Sequence, residues 1–167
     1  MSPINELVVN EAFLITGGNL GFRTEHLHRA ATAITEKCGP ILMASGIYET
    51  KAWGYADQPD FYNQVLYINT HLTADELLKN ILDIEKKMGR ERLIKMGPRI
   101  IDIDILFFND VIIHTKTLQI PHPRIAARRF VLEPLCEIAP NLIHPILNLS
   151  ISSLLESCTD ELAVYKI

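Results

Sequence analysis

Hydrophobic and polar residues alternate along several short segments, a period of two that is typical of half-buried strands. The alternation and its bounding turn residues predict strands over Ala12–Thr16, Ile41–Thr50, Phe61–Thr70, the run around Asp102-Ile103-Asp104, and Val111–Ile113. Within the third of these strands, Val65 and Tyr67 are expected on one face, and Leu66 and Ile68 on the other. Gly17-Gly18-Asn19 closes the first strand as a turn.

Two segments instead show the spacing of amphipathic helices. Glu25–Cys38 is rich in alanine and stops at Gly39-Pro40. Thr73-Ala74-Asp75-Glu76 matches a capping box, so a helix is predicted from Ala74 to about Met88. Its buried stripe is expected to comprise Leu77, Leu78, Ile81, Leu82, Ile84 and Met88.

Strands and helices interleave along the chain, without repeats or low-complexity segments. At 167 residues and 48% hydrophobic composition, the chain has the size of a single domain, which we expect to span 1–167 with its core over about 11–167. The predicted second and third strands nearly form a hairpin. This favours an α+β fold, an antiparallel sheet with helices on one side.

Charge and cysteine content exclude several classes of function. The net charge of -4 and pI near 5.8 lack the basic excess of proteins that bind nucleic acid or anionic membranes. Cys38, Cys136 and Cys158 are odd in number and widely spaced, which fits neither a disulfide framework nor a zinc cluster. Residues 1–10 lack the basic region of a secretion signal, and no apolar run could span a membrane. A cytoplasmic protein is expected.

Asp102 and Asp104 are the most informative candidates for chemistry. Two positions apart on one strand, they are expected to share a face, with backbones roughly 6.6–6.8 Å apart. From there they could hold a pair of cations about 3.5–4 Å apart, as in two-metal phosphate sites. A solvent-exposed edge strand would explain the pair equally well if it stood alone.

Basic residues concentrate just before this strand. Lys86, Lys87, Arg90, Arg92, Lys95 and Arg99 place six of the sixteen lysines and arginines within fourteen positions. The first two suit the C-terminus of a helix, whereas Arg92 and Arg99 could bind phosphate oxygens in pairs. Glu85 lies beside the apolar stripe, either as a ligand contact or as an ion-pair partner for Arg92 or Arg99.

Aromatic residues and one histidine could complete a binding site. Trp53, Phe61 and Phe130 could form a slot for a flat heterocycle, with Asn63 donating and accepting at the ring edge. His122 lies between two prolines, which stiffen its backbone. Phosphate-binding loops of the P-loop and dinucleotide types are absent.

Several of these stretches, above all the twelve residues Lys95–Leu106, are similar to the 6-hydroxymethyl-7,8-dihydropterin pyrophosphokinase family. The others are Leu14–Leu20, Tyr48–Thr50, Asp57–Asn63, Ile84-Glu85, Gly89-Arg90, Ile120–His122 and Pro134-Leu135. The resemblance implies a ferredoxin-like α+β fold and transfer of pyrophosphate from ATP to the pterin's hydroxymethyl oxygen. A monomer that binds no nucleic acid and no membrane is expected.

The same resemblance implies residue roles. Two Mg²⁺ ions would bind Asp102 and Asp104, and catalysis would also use Arg90, Arg92 and Arg99. ATP would contact Glu85, Arg92, Arg99, Ile105, His122 and Arg128, and the pterin would contact Thr50, Lys51, Trp53, Phe61, Asn63 and Phe130. Met96 and Thr117 stand where many members have Trp and Arg.

Two other functions stay open at this point. A two-metal phosphodiesterase or nuclease could use the Asp pair, although it would need a wider basic track. A noncatalytic ligand-sensing module is also compatible with a ferredoxin-like fold, since fold alone does not determine function.

Overall fold

The computed structural model describes residues 7–52, 57–90 and 96–167. The strands are β1 (Asn10–Gly18), β2 (Ile41–Ala44), β3 (Tyr48–Thr50), β4 (Phe61–Thr70), β5 (Asp102–Phe108), β6 (Ile113–His114), β7 (Gln119–Ile120) and β8 (Val164–Lys166). The helices are α1 (Arg23–Lys37), α2 (Ala74–Lys87), α3 (Arg129–Ile138) and α4 (Ile151–Glu156), with a short 3₁₀ turn at Ile125–Ala127.

Six strands form one antiparallel sheet in the order β5-β1-β4-β3-β8, and β2 pairs with the same edge of β4 as β3 does. β1 is central, with β4 on one side and β5 on the other. The chain therefore runs strand-helix-strand-strand-helix-strand, the ferredoxin-like arrangement. The predicted α+β class is confirmed.

Helices cover both faces of this sheet. On the rear face, α1 and α2 pack Leu27 and Ile81 against Leu14, Leu66 and Ile103. On the front face, α3 and α4 cover an apolar cluster of Ile15, Val65, Phe107, Leu132 and Ile151. The expectation of helices on one side was wrong, because the sequence analysis did not detect α3 and α4.

The predicted strand Ile41–Thr50 is broken into β2 and β3. At the break, the Ser45 hydroxyl accepts the Val65 N–H at 2.9 Å, taking the place of a backbone carbonyl. The next residue, Gly46, donates its N–H to the Glu137 carboxylate on α3 at 2.9 Å. These two contacts bend the chain out of a regular strand ladder.

Helix α2 begins with the predicted capping box. The Thr73 hydroxyl accepts the Glu76 N–H, and the Glu76 carboxylate accepts the Thr73 N–H. Its buried stripe contains Leu77, Ile81 and Ile84, whereas Leu82 is 50% exposed, contrary to prediction. In the described part of the chain, no helix has the length and apolarity needed to cross a membrane.

Candidate active site

A cleft of about 340 Å³ opens on the front face, beside the apolar cluster under α3 and α4. It forms where β1, β4 and β5 present polar or small residues on the face that is apolar farther along the same strands. The lining residues are Ile15, Gly17, Thr50, Lys51, Phe61, Asn63, Met96, Arg99, Asp102, Asp104, His122, Pro123, Arg124, Arg128 and Phe130.

Asp102 and Asp104 lie together on the front face, as their spacing predicts. Both are half-buried and line the cleft. Between them Ile103 faces the rear core, where it is 3% exposed. The register with β1 sets Asp102 opposite Gly17 and Asp104 opposite Ile15, so the carboxylates stand on the edge strand β5, directly beside β1.

Arginines neutralise Asp102 from two sides. One carboxylate oxygen contacts the Arg90 guanidinium at 2.7 Å, and the other contacts Arg99 at 2.8 Å. Arg90 also forms an ion pair with Glu85. Since a half-buried carboxylate without compensation would cost several kcal/mol, these arginines allow Asp102 to occupy a strand position.

Glu85 is almost completely buried, at 2% exposure. Its Oε1 accepts the Ile103 N–H at 2.7 Å, and its Oε2 contacts Arg90. Burial raises the pKa of Glu85 to about 7, although the Ile103 N–H and Arg90 act in the opposite direction. The carboxylate thus links α2 to the start of β5 and orients Arg90; the expected partner Arg99 contacts Asp102 instead.

Two glycines allow the backbone to pack closely around the cleft. A Cβ on Gly17 would lie 2.1 Å from the Asn63 Oδ1 atom, so only glycine leaves room for that amide. A Cβ on Gly18 would lie 2.1 Å from the Ile100 carbonyl oxygen, at the entry to β5. These close approaches fix Asn63 and the chain leading to Asp102.

Asn19 is a buried hub next to these glycines, with 2% exposure. Its Oδ1 accepts the Arg99 N–H at 2.9 Å, and its backbone N–H donates to the Arg99 carbonyl at 3.0 Å. Its Nδ2 donates to the Gln58 side chain and the Pro59 carbonyl, both at 2.9 Å. Sequence reasoning assigned Asn19 only to a turn. Only the folded structure reveals that this polar residue is buried.

Aromatic and amide groups line the other part of the cleft. Phe61 and Phe130 both line it, and each lies near an arginine: Arg99 is 5.2 Å from the Phe61 ring centroid, and Arg128 is 5.5 Å from that of Phe130. Asn63 donates to the Thr50 hydroxyl at 3.5 Å. The cleft therefore joins an aromatic half to a charged half.

His122 is half-buried near the arginines Arg124 and Arg128. Burial, followed by these two positive charges, lowers the pKa of His122 to about 4, so the imidazole is neutral near pH 7. Its Nδ1 accepts the Arg124 N–H at 3.2 Å, which places the ring proton on Nε2. His122 can thus donate a hydrogen bond from Nε2.

Comparisons with known proteins agree with this geometry. Residues 13–140 match the family model described as 7,8-dihydro-6-hydroxymethylpterin-pyrophosphokinase, HPPK. The chain belongs to this family. A 2-amino-4-hydroxy-6-hydroxymethyldihydropteridine pyrophosphokinase of Aquifex aeolicus is 45% identical over 134 residues, covering 80% of this chain and 83% of that protein.

Other relatives of this HPPK-family chain are longer. The folic acid synthesis protein fol1 of Pneumocystis carinii is 43% identical over 152 residues, covering 90% of this chain but only 20% of fol1. A crystallised Plasmodium falciparum HPPK-DHPS chain has a TM-score of 0.73 at 22% identity, covering 92% of this chain and 45% of that chain. The chain thus spans less than half of these longer proteins. The similarity to the Plasmodium falciparum structure shows that the two chains share a fold.

The structure brings most predicted site residues of this HPPK-family chain to one cleft. Ile105 is an exception, since its side chain is 5% exposed and packs in the rear core, leaving only its backbone for a ligand. Arg90 and Glu85 stand behind the cleft, connected to it through Asp102. Trp53 and Arg92 lie outside the described residues.

Proposed function

We propose that this chain transfers the terminal pyrophosphoryl group of ATP to the hydroxymethyl oxygen of 6-hydroxymethyl-7,8-dihydropterin, a reaction of folate biosynthesis. The observation that carries the proposal is the junction, in one cleft, of the Asp102–Asp104 pair and its arginines with the Phe61–Phe130 aromatic half. Family membership and the names of the shorter relatives support the same activity.

The pterin belongs in the aromatic half of the cleft. Phe61 and Phe130 offer faces for stacking on a flat ring, a contact worth about 0.5–1.5 kcal/mol per aromatic pair beyond burial. Asn63 and Thr50 supply an amide and a hydroxyl at its edge, and Asn63 is only 6% exposed. A ring in this position would direct its hydroxymethyl group toward Asp102 and Asp104.

The Asp pair fits a magnesium site. Mg²⁺ is usually held by one or two carboxylates, with phosphates and water completing its coordination. Within the described residues, no group of three or more His, Cys, Asp or Glu side chains could hold a metal alone, so phosphates would supply part of the ligand set. Two such ions would neutralise the phosphate charge and favour ionisation of the attacking hydroxyl.

The arginines would then change partners. Arg90 and Arg99 hold Asp102 in the described structure, where they compensate its charge. A cation held by Asp102 and Asp104 would compensate their charge, and Arg99, which lines the cleft, would then be available to phosphate oxygens. Arg128 also lines the cleft, and His122 offers its Nε2 proton to the nucleotide.

In the reaction, the hydroxymethyl oxygen bonds to the β-phosphorus, and the bond from this phosphorus to the α–β bridging oxygen breaks. AMP leaves with the bridging oxygen, and the hydroxyl proton passes to solvent or to a carboxylate. Catalysis by this chain is therefore mainly positioning and charge stabilisation. We further propose that the chain acts as a monomer in the cytoplasm.

Nuclease and ligand-sensing functions are not favoured. A nuclease would need a basic track for a nucleic acid, whereas the net charge of this protein is -4 and the cations that line the cleft are Lys51, Arg99, Arg124 and Arg128. A ligand sensor has no need for a carboxylate pair held by arginines beside an aromatic slot.

The test is AMP release from ATP and Mg²⁺, with and without hydroxymethyldihydropterin. We expect release that requires both the pterin and Mg²⁺ and that stops when EDTA is added. Metal-dependent cleavage of DNA or RNA without pterin-dependent AMP would replace the proposal with a nuclease. Pterin binding without either reaction would replace it with a ligand-binding module.

A further inference from the structure

Helix α3 begins at the cleft but has no local cap. Its N-cap residue, Arg128, makes no side-chain capping hydrogen bond, although the first N–H groups of a helix need acceptors outside the helix. Asp160 supplies one from a distant part of the chain. Its Oδ2 accepts the Arg129 N–H at 3.0 Å, and its Oδ1 accepts the Leu162 N–H at 3.1 Å.

The Arg129 side chain strengthens the same connection. Its Nε donates to the Asp160 carbonyl at 3.0 Å, and one terminal nitrogen donates to the Cys158 carbonyl at 3.2 Å. The other terminal nitrogen is 3.4 Å from the Glu133 carboxylate, one turn farther along α3. Both the backbone and the side chain of Arg129 therefore bind segment 158–162, and Arg129 lies between Arg128 and Phe130.

The C-terminal segment also holds the far end of α3. Glu137, in its last turn, forms an ion pair with Lys166 and accepts the Tyr48 hydroxyl at 3.0 Å. Lys166 belongs to β8, which pairs with β3, and β3 ends at the cleft residue Thr50. Residues 158–166 thus contact both ends of α3 and the edge of the sheet.

These contacts lead directly to the proposed ligand groups. Arg128 and Phe130, immediately before and after Arg129, both line the cleft. We propose that Asp160 is a positioning residue: by capping α3 it fixes Phe130 against the pterin and Arg128 toward the phosphates. This places part of the substrate-binding apparatus in a segment beyond residues 13–140, the range of the family match.

The inference depends on the proposed function and is tested with Asp160→Ala and Asp160→Asn in the full chain. Loss of a helix cap typically lowers the equilibrium constant for folding of the helix or the protein by a few-fold to thirtyfold. We expect Asp160→Ala to raise the KM for hydroxymethyldihydropterin by about three- to thirtyfold while kcat changes less. Asp160→Asn keeps one oxygen that can accept the Arg129 N–H but cannot also accept the Leu162 N–H, so it should restore part of the affinity.

The matched control is Asp75→Ala, which removes an exposed carboxylate from the first turn of α2. It should leave KM unchanged. Calorimetry of pterin binding in the presence of a nonhydrolysable ATP analogue measures the same loss without turnover. If Asp160→Ala does not fold, Asp160→Glu, which displaces the carboxylate by one methylene, takes its place under the same criterion.

An unchanged KM and pterin affinity, with only a lower melting temperature, would show that Asp160 stabilises the fold and nothing more, and would overturn the inference. An equal loss in Asp160→Asn would overturn it too, since capping would not be the cause. Wild-type protein without pterin-dependent AMP release would instead defeat the proposed function.

Discussion

The two faces of strands β1, β4 and β5 differ in what their side chains do. On the rear face, Leu14, Leu66 and Ile103 are at most 3% exposed and pack under α1 and α2. On the front face, the cleft portion of the same strands presents Asn63 and Asp102. Burial of the rear face stabilises the fold. On the front face, polar groups that could bind a ligand are partly withdrawn from water, which lowers stability.

The front face itself changes character along the strands. Ile15, Val65 and Phe107 lie in the dry cluster under α3 and α4. Asn63 comes two residues before Val65 on β4. On β5, Asp104 comes three residues before Phe107, and both face the front because the β1–β5 ladder shifts register between these two residues. A cleft therefore arises where polar residues replace apolar ones on the front face, at the edge of the area that α3 and α4 cover.

The largest effect should come from breaking the rear face. Leu66→Ala removes a side chain that is 1% exposed, and such truncations cost about 2–5 kcal/mol of the free energy of unfolding. Urea unfolding measures this loss. In the folded fraction, kcat/KM should stay near that of the wild type, because Leu66 points away from the cleft.

Leu82→Ala is the matched control for this truncation. Leu82 is 50% exposed on α2, so the same chemical change should alter stability by about 0.5 kcal/mol or less. If Leu66→Ala and Leu82→Ala lowered the free energy of unfolding equally, the buried rear core would not differ in stability from the solvent-facing surface of α2, and the comparison would fail.

The front face should respond in the opposite way. Asp104→Asn keeps the shape of the side chain but removes a charge from the proposed magnesium site, so we expect kcat to fall about 10²–10³-fold, typical for loss of one group that stabilises transition-state charge. The melting temperature should change little. Steady-state AMP production and thermal unfolding measure the two effects.

Asp110→Asn controls for the charge change, since Asp110 is exposed in the turn after β5. It should retain wild-type turnover. Near-normal turnover of Asp104→Asn would remove this carboxylate from the proposed mechanism, and a large loss of stability would mean that it serves the fold as Leu66 does.

The sequence predicted best those elements whose signals are local. The observed bounds of β4 match the predicted Phe61–Thr70, and α2 starts at its predicted capping box. The shared face of Asp102 and Asp104 follows from strand periodicity alone. In each case, a few neighbouring residues contain the information that determines the structure.

The elements that the sequence analysis missed depend on distant partners. Helix α3 lacks a local cap and has Pro134 in its interior; its start is held by Asp160, far along the chain. Strand β8 is short and exists through pairing with the edge of β3. Likewise, the roles of Asn19 and Glu85 come from burial between elements that the chain brings together only on folding.

The smallest effect concerns the charge state of His122 on the front face. Its pKa is about 4 in the folded protein, against about 6.5 in an unfolded chain. Below pH 6.5 the unfolded chain therefore binds more protons, so the stabilising contribution of the neutral imidazole is complete above pH 6.5 and is lost as the pH falls toward 4. Between pH 7 and 5 this contribution should decrease by about 1–2 kcal/mol.

His122→Gln should therefore flatten the dependence of unfolding free energy on pH in this window, whereas His28→Gln, on the exposed surface of α1, should leave it unchanged. Part of the slope should remain, because burial also lowers the pKa of His144 in the front-face core. An NMR titration of the imidazole decides the point directly. A midpoint for His122 near 6.5 would mean that the ring is solvated in the folded protein, and the polar end of the front face would then be more open than its contacts indicate.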